Sequence, residues 1–367
     1  MSDKYGIESH KLAYHPQRVS KILSAKGDWL KAKGIYPIYM EISPIGACNH
    51  RCTFCAVDYL GYNPVRLDFD MMKRRLPEMG KLGVKSIMYA GEGEPLLHKK
   101  ISELVELTKQ AGIDVSFTTN ATILPADFLE KALPNTSWIK ASINAGTPET
   151  YHKIHQGKPG DFDKAISNLK AMVEHKKEND LQVTLGAQSM LLPENIDEME
   201  ELARICRDEI GLDYLVIKPY SQHKFSITHK YEGVDYTQYA SYEKKFSAMS
   251  SDDFQVIFRG HTMKKYIEGN EQRYKKCYAT PNLWAYVMAD GRVFSCSAYL
   301  LDERFDLGNI NDNSFQEIWE GKRRQENYEF VQEGLDITEC RLNCRMDEAN
   351  RYIDSIKNQT IKHINFI

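Results

Sequence analysis

Through the first two-thirds of the chain, short apolar runs alternate with stretches in which apolar residues recur every three or four positions. That texture predicts strand–helix rounds around a parallel sheet. The predicted strands are 35–42, 86–89, 113–118, 138–143, 182–188 and 214–217. Amphipathic helices are predicted between them at 70–82, 101–111, 126–133, 162–176 and 195–209. Six rounds fall short of the eight of a closed barrel, so the expected fold is α/β: a partial, TIM-like (β/α)6 barrel, open on one side. In such a barrel the functional groups gather where the strands end.

Beyond Pro219 the pattern changes. A polar, aromatic stretch without a clear period leads to a short strand at 255–259. Two apolar runs, 283–288 and 293–295, flank Ala289-Asp290-Gly291 and predict a hairpin, because Asp-Gly favours a tight turn. Helical patterns follow at 314–328 and 347–356. The expected organisation is an N-terminal extension (1–34), the barrel (35–225), a connecting segment (226–270) and a small α+β C-terminal domain (271–367).

The net charge is −3, with both signs interspersed, which gives no reason to expect nucleic acid as a partner. No stretch approaches the ~18 consecutive apolar residues of a membrane span, and the first residues lack an apolar signal core. The expectation is a soluble protein of the cytoplasm, where disulfides are rare. Eight cysteines therefore need another explanation. Three stand at 48, 52 and 55, four at 277, 296, 340 and 344, and Cys206 stands alone. Two thiol clusters point to two metal sites. Cys206 lies on an amphipathic helix and reads as a buried, structural thiol.

Cys48, Cys52 and Cys55 follow the first strand on one loop and can wrap one side of a cubane iron–sulfur cluster. Without a fourth cysteine nearby, one metal position stays open, as a catalytic metal requires. A zinc site completed by His50 or another group is the alternative. The Cys-x3-Cys-x2-Cys spacing, with Phe54 before the last cysteine, resembles the signature of the radical S-adenosylmethionine (SAM) superfamily. The resemblance implies a 4Fe-4S cluster whose open iron is chelated by SAM, and a reductant such as flavodoxin or ferredoxin. It also implies cleavage of SAM to a 5′-deoxyadenosyl radical that takes a hydrogen atom from substrate.

Further motifs keep the family's order. Gly91-Glu92-Gly93-Glu94-Pro95, after the second strand, resembles its Gly-Gly-Glu-Pro loop, with Glu92 where glycine is commoner. Asn120 after the third strand, and Ser142 and Asn144 after the fourth, stand where the family contacts the carboxylate and ribose of SAM. Phe54 and Gln188 are counted with these cofactor contacts.

Cys277, Cys296, Cys340 and Cys344, with the Leu307-Gly308-Asn309-Ile310 run and Glu317-Ile318-Trp319, resemble the C-terminal extension called SPASM or its shorter form, twitch. The resemblance implies a second, auxiliary 4Fe-4S cluster, with zinc as the alternative metal. Four thiolates would leave it no open iron, which suits electron transfer or structural support.

Lys218, Tyr220 and His223, at and past the end of the sixth strand, and Arg259, on the strand at 255–259, are the candidates for substrate contact or proton transfer. In twitch-type aminocyclitol dehydrogenases, which this chain resembles in layout, an arginine in this region meets substrate. The favoured expectation is oxidation of a small polar molecule such as a sugar, amino sugar or cyclitol. Radical modification of a peptide, an epimerase or lyase reaction, and a non-catalytic two-cluster electron carrier are the alternatives.

Overall fold

A computed structural model describes residues 4–7, 9–239, 241–268, 273–341, 343–359 and 362–366. Six strands follow the predicted order: β1 (Tyr39–Ile42), β2 (Ser86–Tyr89), β3 (Asp114–Thr119), β4 (Trp138–Ser142), β5 (Thr184–Leu191) and β6 (Tyr214–Pro219). Then come β7 (Gln255–Phe258), β8 (Trp284–Val287), β9 (Arg292–Phe294) and β10 (Asp306–Asn309). They form one sheet in the order β10-β9-β8-β1-β2-β3-β4-β5-β6-β7.

The partial TIM-like barrel is present, and the tail enlarges it. Strand β8 pairs in parallel with β1, and β7 in parallel with β6, so eight parallel strands stand side by side. No ladder joins β7 to β8 among the described strands, and the barrel is open there. The C-terminal stretch therefore supplies a barrel strand as well as the antiparallel pairs β8–β9 and β9–β10. The hairpin turns at Gly291, whose φ of +89° suits a residue without Cβ.

Alternation along the strands separates two faces. Ile139 and Ala141 of β4, like Leu215 and Ile217 of β6, point outward into a core under the helices and are at most 1% exposed. Their neighbours Trp138, Lys140, Tyr214, Val216 and Lys218 line the interior. Helix Phe69–Lys81 shows how that outer layer forms. Asp68 caps it by accepting from the Met71 amide at 2.7 Å, and Met71, Met72, Leu76 and Met79 bury its inner face.

Several boundaries differ from the expectation for local reasons. β1 begins after Pro37, which has no N–H for a ladder. The 126–133 stretch is a π turn followed by a 3-10 turn around Pro134. The 314–328 stretch breaks at Gly321, where a Cβ would lie 2.6 Å from the Glu317 carbonyl. The sequence reading did not assign helix Pro148–His155, which Thr147 caps and Pro148 opens.

The N-terminal segment is tied to the tail. Leu12, Val19 and Ile22 pack with Tyr278, Leu283, Tyr328 and Ile353 in a separate apolar cluster. Tyr5 packs against Tyr214 at 5.1 Å, and the Tyr214 ring leaves no room for a Cβ on Gly186 of β5. These rings stand at the strand-start end of the barrel, where both line its cavity. Among the described residues, no helix is long and apolar enough to cross a membrane.

Candidate active site

The loop carrying Cys48, Cys52 and Cys55 is held from three sides. The Arg51 and Thr53 amides donate to the His155 and Ile154 carbonyls at 3.1 and 2.9 Å, at the end of helix Pro148–His155. The Glu94 amide donates to the Ala47 carbonyl at 2.9 Å. Asn49 donates to Thr122 Oγ1 and accepts from Asn120 Nδ2, both at 2.8 Å, clasping the loop to the end of β3. All three thiols are partly exposed. Burial, with Glu94 and Cys55 adding to it, pushes the Cys48 thiol up to about 12, and burial raises Cys52 and Cys55 as well. A bound metal is what would hold three such thiols as thiolates.

His155 fixes one of them. Its Nε2 faces the Asn144 amide at 3.2 Å, and a backbone N–H can only donate, so Nε2 accepts. The proton is then on Nδ1, which donates to Cys52 Sγ at 3.4 Å. Burial holds His155 well below the usual histidine range, so the ring is a neutral donor. His50, Cys52 and His155 bring their donor atoms within 4.8 Å of one another. His155, however, offers that cluster a proton and no lone pair, and His50 is turned to Asp161 at 3.1 Å.

The Gly-Glu loop after β2 is pressed against the cysteine loop. A Cβ on Gly93 would meet the Ala47 carbonyl at 2.1 Å, and one on Gly91, at φ +116°, would meet the Tyr286 hydroxyl at 2.3 Å. The two acids face away from open space. Glu94 accepts from Thr119 Oγ1 at 2.5 Å, the Asn120 amide at 2.8 Å and the Leu96 amide at 3.1 Å. Glu92 accepts from the Ala289 amide at 3.0 Å, in the hairpin turn. Burial pushes both carboxyls up to about 7. Asn144 gives its Oδ1 to the Met190 amide at 2.6 Å and its Nδ2 to Ser142 Oγ at 3.2 Å.

The other four cysteines converge from separate places. All four thiols line one cavity, and burial, with Cys344, Cys277 and Cys340 adding to it, raises Cys296 well above the ordinary thiol range. Arg273 holds the Cys340 loop by donating to the carbonyls of Ile337, Cys340 and Arg341 at 2.9–3.1 Å. Asn350 accepts from the Tyr278 and Ala279 amides and donates to Cys277 Sγ at 3.6 Å. The eighth cysteine, Cys206, is fully buried in the main core.

Two family profiles match this layout: the radical SAM superfamily over residues 42–206, and the SPASM iron–sulfur cluster-binding domain over residues 277–345. The chain is a radical SAM enzyme with a SPASM domain. A 4Fe-4S cluster and SAM belong to the first domain and auxiliary iron–sulfur binding to the second.

The chain is 27% identical to a GTP 3′,8-cyclase of Chlorobaculum tepidum over 54% of its own length, spanning 58% of the cyclase. It is 25% identical to an AdoMet-dependent heme synthase of Methanosarcina barkeri over 74% of this chain and 79% of that one. Among solved structures, Streptococcus suis SuiB is similar in fold, with a TM-score of 0.63 at 18% identity, covering 86% of this chain and 72% of SuiB. anSMEcpe with bound AdoMet gives 0.57 at 19% identity, covering 80% and 82%.

In this radical SAM enzyme a cavity of about 700 Å³ lies inside the barrel and reaches the first cysteine loop and the second cysteine set. Phe54 and Ala56 of the first loop line it, as do Cys277, Cys296, Cys340 and Cys344. Gln188, Lys218, Tyr220 and Arg259 also line it. His223 does not; its Nδ1 accepts from the Phe225 amide and its Nε2 lies 3.4 Å from the Ser297 carbonyl, so the ring ties two loops together. Burial, with Arg341 nearby, pushes His223 down to about 4.

The sequence reading missed His155, Lys140, Arg341 and Arg345. Lys140 alone carried a signal: a charged residue inside the apolar strand Trp138–Ser142.

Proposed function

We propose that this radical SAM enzyme oxidises a small polar molecule held in the barrel. The observation that carries the reading is a cavity lined by Phe54 and Ala56, beside the first cysteine set, and by all four cysteines of the second. When bound, the first cluster with SAM supplies a 5′-deoxyadenosyl radical that removes a hydrogen atom from substrate.

The chain's own residues do the rest. Cys48, Cys52 and Cys55 would hold the cluster, and Gly91, Gly93, Asn120, Ser142 and Asn144 would contact SAM. Glu94 acts at one remove, by fixing Thr119 and Asn120 at the end of β3. Lys218, Tyr220 and Arg259 face the substrate, and the proton it loses passes to solvent at the open barrel mouth. The auxiliary cysteines stand at the same cavity wall, where an auxiliary cluster can accept the second electron. The first electron comes from a reductant such as a flavodoxin or ferredoxin, in a reducing compartment such as the cytoplasm.

Anaerobic incubation with SAM, dithionite and a small-molecule extract tests the reading. The expected outcome is 5′-deoxyadenosine together with a product lighter by two hydrogens. A variant carrying Cys340→Ala and Cys344→Ala is expected to cleave SAM without making that product. Product of unchanged mass with solvent deuterium at carbon would mean epimerisation, and a modified peptide would mean a peptide substrate; either outcome overturns oxidation of a small molecule.

A further inference from the structure

Five basic side chains gather inside the barrel. Lys140 of β4, Lys218 of β6, Arg259 after β7, and Arg341 and Arg345 beside the auxiliary cysteines all line the same cavity. Glu41 of β1 pairs with Arg345 at 3.1 Å, and Tyr39 accepts from the same guanidinium at 2.7 Å. Arg341 donates to Ser221 Oγ and to its carbonyl. Among the described residues, neither the Lys140 nor the Lys218 ammonium has a hydrogen-bond or ion-pair partner; Lys140 lies 5.5 Å from the Trp138 ring.

We propose that the barrel interior is a binding site for an anionic group, a phosphate or a carboxylate, held by Lys140 and Lys218 and flanked by Arg259, Arg341 and Arg345. This deepens the proposed function, resting on its reading of the cavity as the substrate site, and selects acid-bearing molecules over amino sugars. An ammonium in a low-dielectric cavity is disfavoured unless an opposite charge faces it, and two close together disfavour each other further. Burial, then Arg345 and Arg259, lowers Lys140 to about 8, with Glu41 opposing. Burial, then Lys140, Arg259, Arg345 and Arg341, holds Lys218 well below the usual lysine range. An arriving anion reverses that balance, since it favours the charged form of both lysines and is itself desolvated against five donors. The strand-end side carries the cysteine loop and is the proposed way in. An anion reaching Lys140 would therefore hold the rest of the molecule above it, toward the cysteine loop.

Calorimetry on the anaerobically reconstituted, SAM-saturated enzyme tests the site with three probes: inorganic pyrophosphate, citrate and neutral glucose. The expected result is binding of at least one anion and none of glucose. Pyrophosphate preferred over citrate assigns a phosphate, and the reverse a carboxylate. At pH 8, binding should take up protons, read as an enthalpy that depends on the buffer. Lys218→Met and Lys140→Met should each weaken binding about tenfold or more, while Lys218→Arg should largely keep it, and iron content shows which variants have folded. Anion binding that is absent, equal in the Met variants, or present only without SAM overturns the proposal. Failure of the proposed function reads out separately, as wild-type protein that makes no 5′-deoxyadenosine.

Discussion

The two cysteine sites are built on opposite plans. The first is local: three cysteines within eight residues on one loop, braced by the ends of β2 and β3 and by helix Pro148–His155. The second is assembled from afar, with Cys277 before β8, Cys296 after β9, and Cys340 and Cys344 before the last helix. The buried Arg273 guanidinium is what fixes its most distant part. A local loop asks little of the remaining fold, whereas a site closed over such separations exists only once the tail has folded onto the barrel. The first site should therefore survive damage that removes the second.

Arg273→Met is the sharpest way to break that comparison. It leaves the three carbonyls of Ile337, Cys340 and Arg341 without their donor, at a cost of about 3 kcal/mol. Iron per anaerobically reconstituted chain is expected to fall from about eight to about four, and 5′-deoxyadenosine should still form from SAM. A variant that keeps its full iron would show that Arg273 does not organise the second site.

The same contrast explains what was legible in the sequence. The cysteine loop could be read because its spacing lies within one segment, and the four distant cysteines because the Asp290-Gly291 hairpin placed two of them. Strand positions emerged because alternation is written into each strand, Ser86–Tyr89 with both ends correct. The parallel pairing of β8 with β1 was not legible, since no local pattern reports which strand a distant segment will join. The positive interior was hidden for the same reason. Lys140, Lys218 and Arg345 lie far apart in the chain and meet only through the barrel. His155 gave no signal, because a histidine at a helix end has many uses and its partner, Cys52, lies 103 residues away.

The first site has one feature the second lacks, a fixed histidine proton aimed at a cysteine sulfur. A hydrogen bond to a ligand sulfur favours the reduced, more negative cluster. His155→Phe removes it while keeping an aromatic ring, and the first cluster's potential should drop by roughly 40 mV, the one-electron equivalent of ~1 kcal/mol. The auxiliary potential should stay where it is. Redox titration followed by electron paramagnetic resonance separates the two, and equal shifts in both clusters would remove the special role of His155.

The smallest expected effect lies where the two sites touch. Glu92, in the loop after β2, accepts from the Ala289 amide in the hairpin that leads to Cys296. Burial pushes its carboxyl up to about 7, with the Ala289 and Ser43 hydrogen bonds opposing. In the unfolded chain the same group would titrate near its ordinary value of about 4.3. The folded state therefore binds the extra proton between those values. The stability this gives is fully present below the unfolded value and is lost as pH rises through about 7. Glu92→Gln keeps an oxygen for the Ala289 amide and carries no charge, so it should lack this dependence. Relative to wild type, the variant should gain roughly 2 kcal/mol between pH 5.5 and 8.5, seen as a difference in unfolding midpoint that grows with pH. Taking the difference between the two proteins cancels titrations they share, including those of Glu94 and Lys140. A constant difference across that range would mean that the contact between the loop and the hairpin holds a charged carboxylate throughout.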